Sequence, residues 1–276
     1  MSMNQARVIV VGNEKGGAGK STIAIHLVAA LAGQGARVAA IDLDLRQQSL
    51  GRFLENRRKW LQANEVEAAM PMQADLGADA AKVAVDNPEE IVTRLQAALA
   101  QAKADADFVV IDTPGGDTPA SRAAHAGADV IVTPMNDSFV DFDLLGQVDP
   151  VTLELGKPSI YAETVWNARK ARAMGDRGSI DWIVLRNRLA VTEARNRRRL
   201  DERIEALSRR IGFRVGPGLR DRVIYRELFP FGLTVSDLSP QIRPVSVSLA
   251  HVAARQELRS LMQALDLDGQ AKAHAA

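Results

Sequence analysis

Residues 14–22 read EKGGAGKST, and they follow the apolar run RVIVV at residues 7–11. The phosphate-binding pattern G-x-x-x-x-G-K-[ST] fails only at its first position, where glutamate stands. Glycines at 16, 17 and 19 let the backbone turn its N–H groups toward a phosphate. The helical apolar spacing that follows would point the positive end of a helix at the same place. The stretch therefore predicts a phosphate-binding loop between a buried strand and a helix.

Each part of this loop has a predicted role. Lys20 is placed to reach the β- and γ-phosphates, and the Ser21 hydroxyl to bind Mg²⁺. A glycine-rich turn without phosphate is the alternative, but it does not explain lysine, serine and threonine in this position. The predicted nucleotide-binding residues of the loop are Glu14, Lys15, Gly16, Gly17, Ala18, Gly19, Lys20, Ser21 and Thr22.

Length and composition set broad limits. The 276 residues suffice for a single domain over 1–276, and we expect the small, polar tail at 266–276 to be disordered. The absence of cysteine excludes disulfides, thiol nucleophiles and cysteine-ligated iron–sulfur clusters. No run of 18 apolar residues and no signal-peptide pattern occurs. We therefore expect a cytoplasmic protein.

Strand-like and helical stretches alternate along the chain. This order predicts an α/β fold with a mostly parallel twisted sheet and helices on both faces. Residues 64–87 read as a loop with at most one short strand. The predicted strands are 8–11, 38–41, 108–111, 130–133, 182–185 and 213–215. The predicted helices are 20–33, 48–63, 88–104, 138–155, 192–211 and 246–265.

Two aspartate motifs follow predicted strands. Asp42 and Asp44 come after the second strand, where open α/β sheets bind ligands. Asp112 ends the run FVVID, which is typical of a Walker B strand that holds Mg²⁺ through water. Taken alone, such a strand end would be plain turn chemistry. Its position after the phosphate loop favours the metal role, and the following Thr113, Pro114, Gly115 and Gly116 are predicted to form a switch.

The loop sequence K-G-G-x-G-K-[ST] resembles the deviant Walker A motif of the ParA/MinD family of P-loop ATPases. The resemblance implies a homodimer with ATP and Mg²⁺ between the subunits, in which Lys15 reaches the partner's phosphates and acts with Lys20 in slow hydrolysis. It also implies that Asp42 lies in the Mg²⁺ shell and that Asp44 positions the attacking water.

Two further details concern the switch and the base. The family sequence D-x-D-P-Q is changed here to D-L-D-L-R, so the first switch is predicted to comprise Asp44, Arg46 and Gln47. The guanine-reading N-K-x-D motif is absent, which favours ATP. Asn187 at the end of the fifth strand resembles the adenine-contacting asparagine of MinD-like proteins. The alternative is a polar residue at a strand end.

Residues 186–227 hold thirteen arginines against six acidic residues, an excess of +7 in a chain whose net charge is +1. Arginine favours bidentate phosphate contacts, so this region predicts non-specific binding of double-stranded DNA. A solvated charged face is the alternative. Arg57 to Lys59 on the second helix either extends this surface or is solvated. The predicted DNA contacts are Arg195, Arg198, Arg199, Arg203, Arg220 and Arg222.

Longer strings such as TPMNDSFVDFDLLG (133–146) and GPGLRDRVIYRELFPFGLT (216–234) resemble the MipZ branch of the family, which positions the division plane in certain bacteria. That resemblance implies recruitment by ParB, inhibition of FtsZ polymerisation, and association with the nucleoid and the cell pole. The FPF segment at 229–231 either marks an interface or packs on the core. The last helix reads as packed, and the acidic DLDG after it does not support a membrane anchor.

Two alternative functions are compatible with the same sequence. A ParA-type chromosome partition ATPase would share the ATP site and the DNA surface without acting on FtsZ. A metabolic ATP-dependent ligase of the same fold would need a substrate pocket, and would gain nothing from Lys15 or from the arginines.

Overall fold

The computed structural model describes residues 6–136, 139–148, 155–175, 178–189, 194–239, 242 and 248–267. The strands are β1 Arg7–Val11, β2 Val38–Asp42, β3 Met72–Gln73, β4 Phe108–Asp112, β5 Val130–Asn136, β6 Gly146–Val148, β7 Leu155–Pro158, β8 Asp181–Asn187 and β9 Arg214–Val215. The helices are α1 Lys20–Gly33, α2 Ser49–Ala63, α3 Ala80–Asp86, α4 Pro88–Asp105, α5 Pro119–Ala126, α6 Phe139–Phe142, α7 Ile160–Gly175, α8 Ala194–Ile211, α9 Ile224–Glu227 and α10 Leu249–Ala264.

The main sheet has the strand order β3-β2-β4-β1-β5-β8-β9 within the described residues, and every neighbouring pair is parallel. The predicted α/β fold with a mostly parallel sheet is confirmed. β1 lies in the middle of this order, so the loop that follows it opens at the centre of the sheet's carboxyl edge. That edge is where open α/β sheets bind ligands.

Apolar layers cover both faces of the sheet. In β1, Ile9 and Val11 join one buried cluster with α1 and α10, whereas Val8 and Val10 join another with α4, α5 and α7. Successive side chains of a strand point to opposite faces, so a strand covered on both sides needs an unbroken apolar run. This requirement explains the β-branched sequence of the central strands.

The prediction of one helix over 138–155 is wrong. The structure has the short helix α6, then the antiparallel pair β6 and β7, and then α7, which was not predicted. Gly156 and Pro158 disfavour a helix just before α7. Ser159 accepts a hydrogen bond from the amide of Ala162 (3.0 Å), which starts α7 at the next residue.

Two other stretches, 64–87 and the C-terminal region, were predicted only in part. The stretch 64–87 contains the short strand β3, as expected, but also α3, which was missed. In α10, Leu258 and Met262 are buried, whereas Leu249 and Val252, which were expected in the same packed stripe, are exposed. Leu267 is fully buried, so the fold extends into the predicted tail. Residues 268–276 lie outside the described residues.

A buried ion pair joins α2 to the segment before α10. Arg57 is 2% exposed and donates to Asp237 (2.8 Å) and to the carbonyls of Ala69 (2.9 Å) and Gly232 (3.0 Å). This residue is therefore neither solvated nor part of a DNA surface.

The FPF segment packs on the core, with Phe229 against Phe53. Among the described helices, none is long and apolar enough to cross a bilayer.

Candidate nucleotide site

The strand register brings the two aspartate motifs together. Asp42 at the end of β2 is the register partner of Asp112 at the end of β4, and Asp112 is also the partner of Val11 at the end of β1. The phosphate loop, residues 12–19, starts directly after Val11. The sheet thus places both predicted metal ligands beside the loop, although they are 70 positions apart in the chain.

The loop has the backbone that its glycines permit. Gly17 and Gly19 have φ of +76° and +92°, a region that favours glycine. A Cβ on Gly19 would also lie 2.1 Å from Nδ2 of Asn187. Asn187 is buried, and its Nδ2 donates to the carbonyl of Ala18 (2.8 Å). In this conformation Asn187 braces the phosphate loop, and its contact with adenine stays a prediction.

Lys20 is buried at the start of α1. Its Nζ donates to the carbonyl of Lys15 (2.9 Å), so the lysine closes the loop on itself. Burial lowers the pKa of Lys20, while the charges of Asp112 and Asp44 oppose that shift. An anion bound in the loop would add a negative charge beside the buried ammonium of Lys20 and so stabilise its charged form.

Asp112 is the residue best suited to a cation. It is fully buried, and within the described part of the chain neither carboxylate oxygen has a donor in hydrogen-bond geometry. Burial raises its pKa to about 7, while the nearby Ser21 hydroxyl lowers it. An unpartnered carboxylate in the interior is costly unless it is protonated or binds a cation. The oxygen donors of Asp112 and Ser21 therefore fit Mg²⁺, which prefers such ligands.

Asp42 has a second function in holding the first switch. Its two oxygens accept backbone hydrogen bonds from Asp44 (3.0 Å) and Gly51 (3.0 Å), and burial raises its pKa. Asp44 in turn accepts from the amide of Gln47 (3.0 Å), while the side chain of Arg46 is exposed. The two aspartates thus fold the segment between β2 and α2 into a turn at the edge of the site.

The second switch starts from a fixed residue and then becomes exposed. Thr113 is buried, and its hydroxyl donates to the carbonyl of Val11 (3.0 Å). A Cβ on the exposed Gly115 would lie 3.2 Å from the amide nitrogen of Gly16 in the phosphate loop. Gly116 has φ of +107°. Glycine at 115 therefore allows this segment to lie close to the loop.

Lys15 contacts its own chain. Its Nζ lies 2.9 Å from Oδ1 of Asp141, and the side chains are 35% and 11% exposed. The other oxygen of Asp141 accepts the amide of Asn136 (2.9 Å), so the end of β5 fixes the carboxylate. Lys15 and Lys20 therefore differ in setting, since the first is paired near the surface and the second is buried.

Sequence reasoning did not assign roles to Asn13 and Asp141. Asn13 Oδ1 accepts the amide of Lys15 (2.7 Å), and its Nδ2 donates to the carbonyl of Pro134. Asn13 precedes the loop, and Asp141 lies in the string that resembled MipZ. An asparagine that can bond its own backbone two residues on is a local signal. The Lys15–Asp141 contact spans 126 positions and has no local signal.

The predicted DNA contacts are only partly described. Arg195, Arg198 and Arg199 belong to α8, but the structure describes only their backbone and not their side chains. Arg220 is exposed. Arg222 donates to Glu257 through Nε and Nη2 (2.6 Å), with the two side chains 17% and 16% exposed, so its guanidinium is engaged inside the protein. Arg203 is half-buried.

Residues 7–269 match the family model described as ATPase MipZ, which covers nearly the whole chain. The chain belongs to this family. Membership in the MipZ family places it among the ParA/MinD-type P-loop ATPases, as the resemblance of the loop predicted. The phosphate loop, both aspartate motifs and Asp141 all lie within the matched range.

Individual relatives of this MipZ-family chain match over shorter stretches. An iron–sulfur cluster carrier protein of Deinococcus radiodurans is 32% identical over 149 residues, 49% of this chain and 42% of that protein. The chromosome partitioning protein ParA of Caulobacter vibrioides is 30% identical over 167 residues, 54% of this chain and 62% of that protein. The chain thus spans about half the length of the curated relatives that it matches.

A solved structure shows the same fold over almost the full length. The structure of apo McdA from Cyanthece has a TM-score of 0.61 and 21% identity, and covers 94% of this chain and 99% of that chain. The likeness supports the ParA/MinD-type fold and nothing finer.

Proposed function

We propose that this protein is an ATP-dependent switch that dimerises with ATP, hydrolyses it slowly, binds DNA without sequence preference as the dimer, is recruited by ParB, and inhibits FtsZ polymerisation to position the division site. The family match over residues 7–269 supports the division-site role. The geometry of the loop lysines supports the switching mechanism, as follows.

The position of Lys15 carries the proposal. Its side chain is 35% exposed and its Nζ pairs with Asp141, so reaching a second subunit requires it to leave this ion pair. A pair with one partner this exposed contributes about 1 kcal/mol or less to stability. Contacts with the phosphates of a facing subunit would outweigh that loss. Nucleotide state would thereby set oligomeric state.

The remaining side chains then have distinct tasks. The loop amides and Lys20 bind the phosphates, and Asn187 fixes the end of the loop through Ala18. Ser21, Asp112 and Asp42 would hold Mg²⁺, which neutralises charge developing on the phosphates. Asp44 orients the water that attacks the γ-phosphate. The two switch segments respond when the γ-phosphate is released.

FtsZ sedimentation tests the proposed function. FtsZ is polymerised with GTP, and ATP-loaded Asp44→Ala protein is added, because this variant should remain a dimer. We expect the polymer in the pellet to fall in proportion to the added dimer. The matched control is Lys15→Ala protein at the same concentration, which should leave the polymer unchanged.

The outcomes separate the two nearest functions. Polymer that is unaffected by the Asp44→Ala dimer, with ATP-dependent DNA binding intact, would contradict action on FtsZ and favour a ParA-type partition ATPase. That alternative is supported by the 30% identity to a chromosome partitioning protein.

We expect Lys15→Ala to abolish ATP-dependent dimerisation and to leave a folded monomer. The change removes the cation that would bridge the subunits, while the buried Lys20 still binds phosphate. Light scattering after size exclusion, with and without ATP, measures the mass. The control is Lys82→Ala, an exposed lysine on α3. Dimers of Lys15→Ala would refute the bridging role.

We expect the double change Arg195→Ala and Arg199→Ala to reduce ATP-dependent DNA retention and to leave ATP hydrolysis unchanged. Each lost phosphate contact should also lower the slope of log affinity against log salt by about 1. Retention on immobilised duplex DNA at two salt concentrations gives both numbers. Lys82→Ala, which removes an exposed cation from α3, is the control. Unchanged retention would place the DNA surface elsewhere.

A further inference from the structure

An apolar cleft lies away from the nucleotide site, between the β6–β7 pair, α7 and the second half of α8. Its volume is about 260 Å³. Trp182 lines it and is 1% exposed, so it forms the base, and Trp166 on α7 is 55% exposed at the rim. Leu207 and Ile211 of α8 form one wall. Concave, mostly apolar surfaces are typical of binding sites, and this one is slightly smaller than the pockets of about 300 Å³ or more that hold drug-sized ligands.

The charged residues of the cleft are mostly positive. Lys157, Arg169 and Arg210 line it against the single carboxylate of Glu163, which leaves an excess of +2 among its described lining residues. Lys170 adds a further cation, 5.5 Å from the ring of Trp166. An acidic ligand is therefore favoured over a basic or neutral one.

Arg169 is the cation best placed to recognise a carboxylate. Its Nε donates to the carbonyl of Ile180 (3.2 Å), and its guanidinium carbon lies 5.7 Å from the centre of the Trp182 ring. Within the described part of the chain, its two terminal amino groups make no hydrogen bond, and burial lowers the pKa of this arginine. A guanidinium held on an indole face with both terminal groups available suits bidentate binding of a carboxylate.

We propose that this cleft binds a short segment of a partner protein. An apolar side chain of that segment sits between Trp166 and Trp182. An acidic residue close to it in the segment's sequence pairs with Arg169. A second copy of this chain is disfavoured as the occupant, because two identical faces that each carry an excess of positive charge repel one another. Among the described residues that line it, none belongs to the phosphate loop or to either switch. Binding should therefore occur without nucleotide.

Fluorescence anisotropy with labelled hexapeptides tests the proposal on the full-length, nucleotide-free protein. The probes are DDLFDD, DDWLDD and DDFFDD, and the comparison peptides are NNLFNN and DDAADD. We expect at least one probe to bind saturably with a Kd below about 1 mM. We expect Trp166→Ala and Arg169→Lys each to weaken it about tenfold, as for contacts at the centre of an interface. Both comparison peptides should bind more weakly than the probe.

Two matched controls isolate the cleft. Met174→Ala removes an exposed apolar side chain from the same helix, and Lys82→Gln removes an exposed cation elsewhere; both should leave the Kd unchanged. Because Trp166 is exposed, its replacement should not disturb folding, which circular dichroism checks. Failure of all three probes to bind at 2 mM, equal binding by the Trp166→Ala variant, or equal binding of DDAADD would overturn the proposal. Self-association that Trp166→Ala abolishes would assign the cleft to a second copy and overturn it too.

Discussion

Asp44→Ala protein is expected to hydrolyse ATP about 10²- to 10⁴-fold more slowly than the wild type and to bind ATP with nearly unchanged affinity. Asp44 is half-buried at the edge of the site, where its carboxylate accepts only the amide of Gln47 among the hydrogen bonds described for it. Loss of the carboxylate would remove the proposed positioning of the attacking water, whereas Lys20 and the loop amides are untouched. Phosphate release in a single turnover measures the chemical step, and a fluorescent ATP analogue measures binding.

Two further variants sharpen this result. Asp44→Asn keeps the size of the side chain and an oxygen for the amide of Gln47, so it separates the negative charge from the shape of the turn. Asp86→Ala removes an exposed carboxylate from the end of α3 and should hydrolyse ATP normally. Turnover by Asp44→Ala within about threefold of the wild type would contradict a role in catalysis, since general base effects are larger.

Arg57→Ala protein is expected to lose about 3–5 kcal/mol of unfolding free energy, because Asp237 would remain charged and buried without its partner. The loss is large because Arg57 also donates to the carbonyls of Ala69 and Gly232, which belong to two other segments. Asp237 is engaged on its other side by the amide (2.7 Å) and hydroxyl (2.9 Å) of Thr234. Urea unfolding at neutral pH, followed by circular dichroism, measures the change.

The double variant Arg57→Met with Asp237→Leu distinguishes a lost partner from lost packing. Replacing both charges by apolar groups of similar size should cost less than Arg57→Ala alone, since no buried charge is left unpaired. Arg58→Ala is the neighbouring exposed control and should change stability little. A loss below about 1 kcal/mol for Arg57→Ala would mean that water or another group compensates Asp237.

The parts of the fold that follow from local sequence were predicted well. β1, β2 and β4 are buried on both faces, so their apolar runs could not be mistaken for surface. The phosphate loop was recognisable because its glycines and Lys20 each meet a local requirement. By contrast, the apolar spacing after residue 138 imitated a long helix, and the residues that disfavour a helix, Gly156 and Pro158, come only after its predicted end at 155.

Contacts between distant residues were not predictable from one sequence. Arg57 and Asp237 are 180 positions apart, and an arginine beside Arg58 and Lys59 on a helix reads as solvated. Lys15 was singled out by its motif, yet no local signal in the sequence pointed to its partner Asp141, which lies in the short helix α6. Arg222 was grouped with the DNA contacts because its bond to Glu257 could not be foreseen from the sequence. That bond depends on how α10 packs.

The hydrogen bond from Asn187 to Ala18 has a consequence for the timing of biosynthesis. It joins residues 169 positions apart, so the phosphate loop lacks this brace until β8 has left the ribosome. At roughly 5–20 residues per second, translation takes roughly 10 to 30 s to cover that distance. A nascent chain that ends before β8 should therefore bind ATP poorly, even though every residue of the loop has already been made. Nucleotide capture would therefore wait until Asn187 has been made, about two thirds of the way along the 276-residue chain.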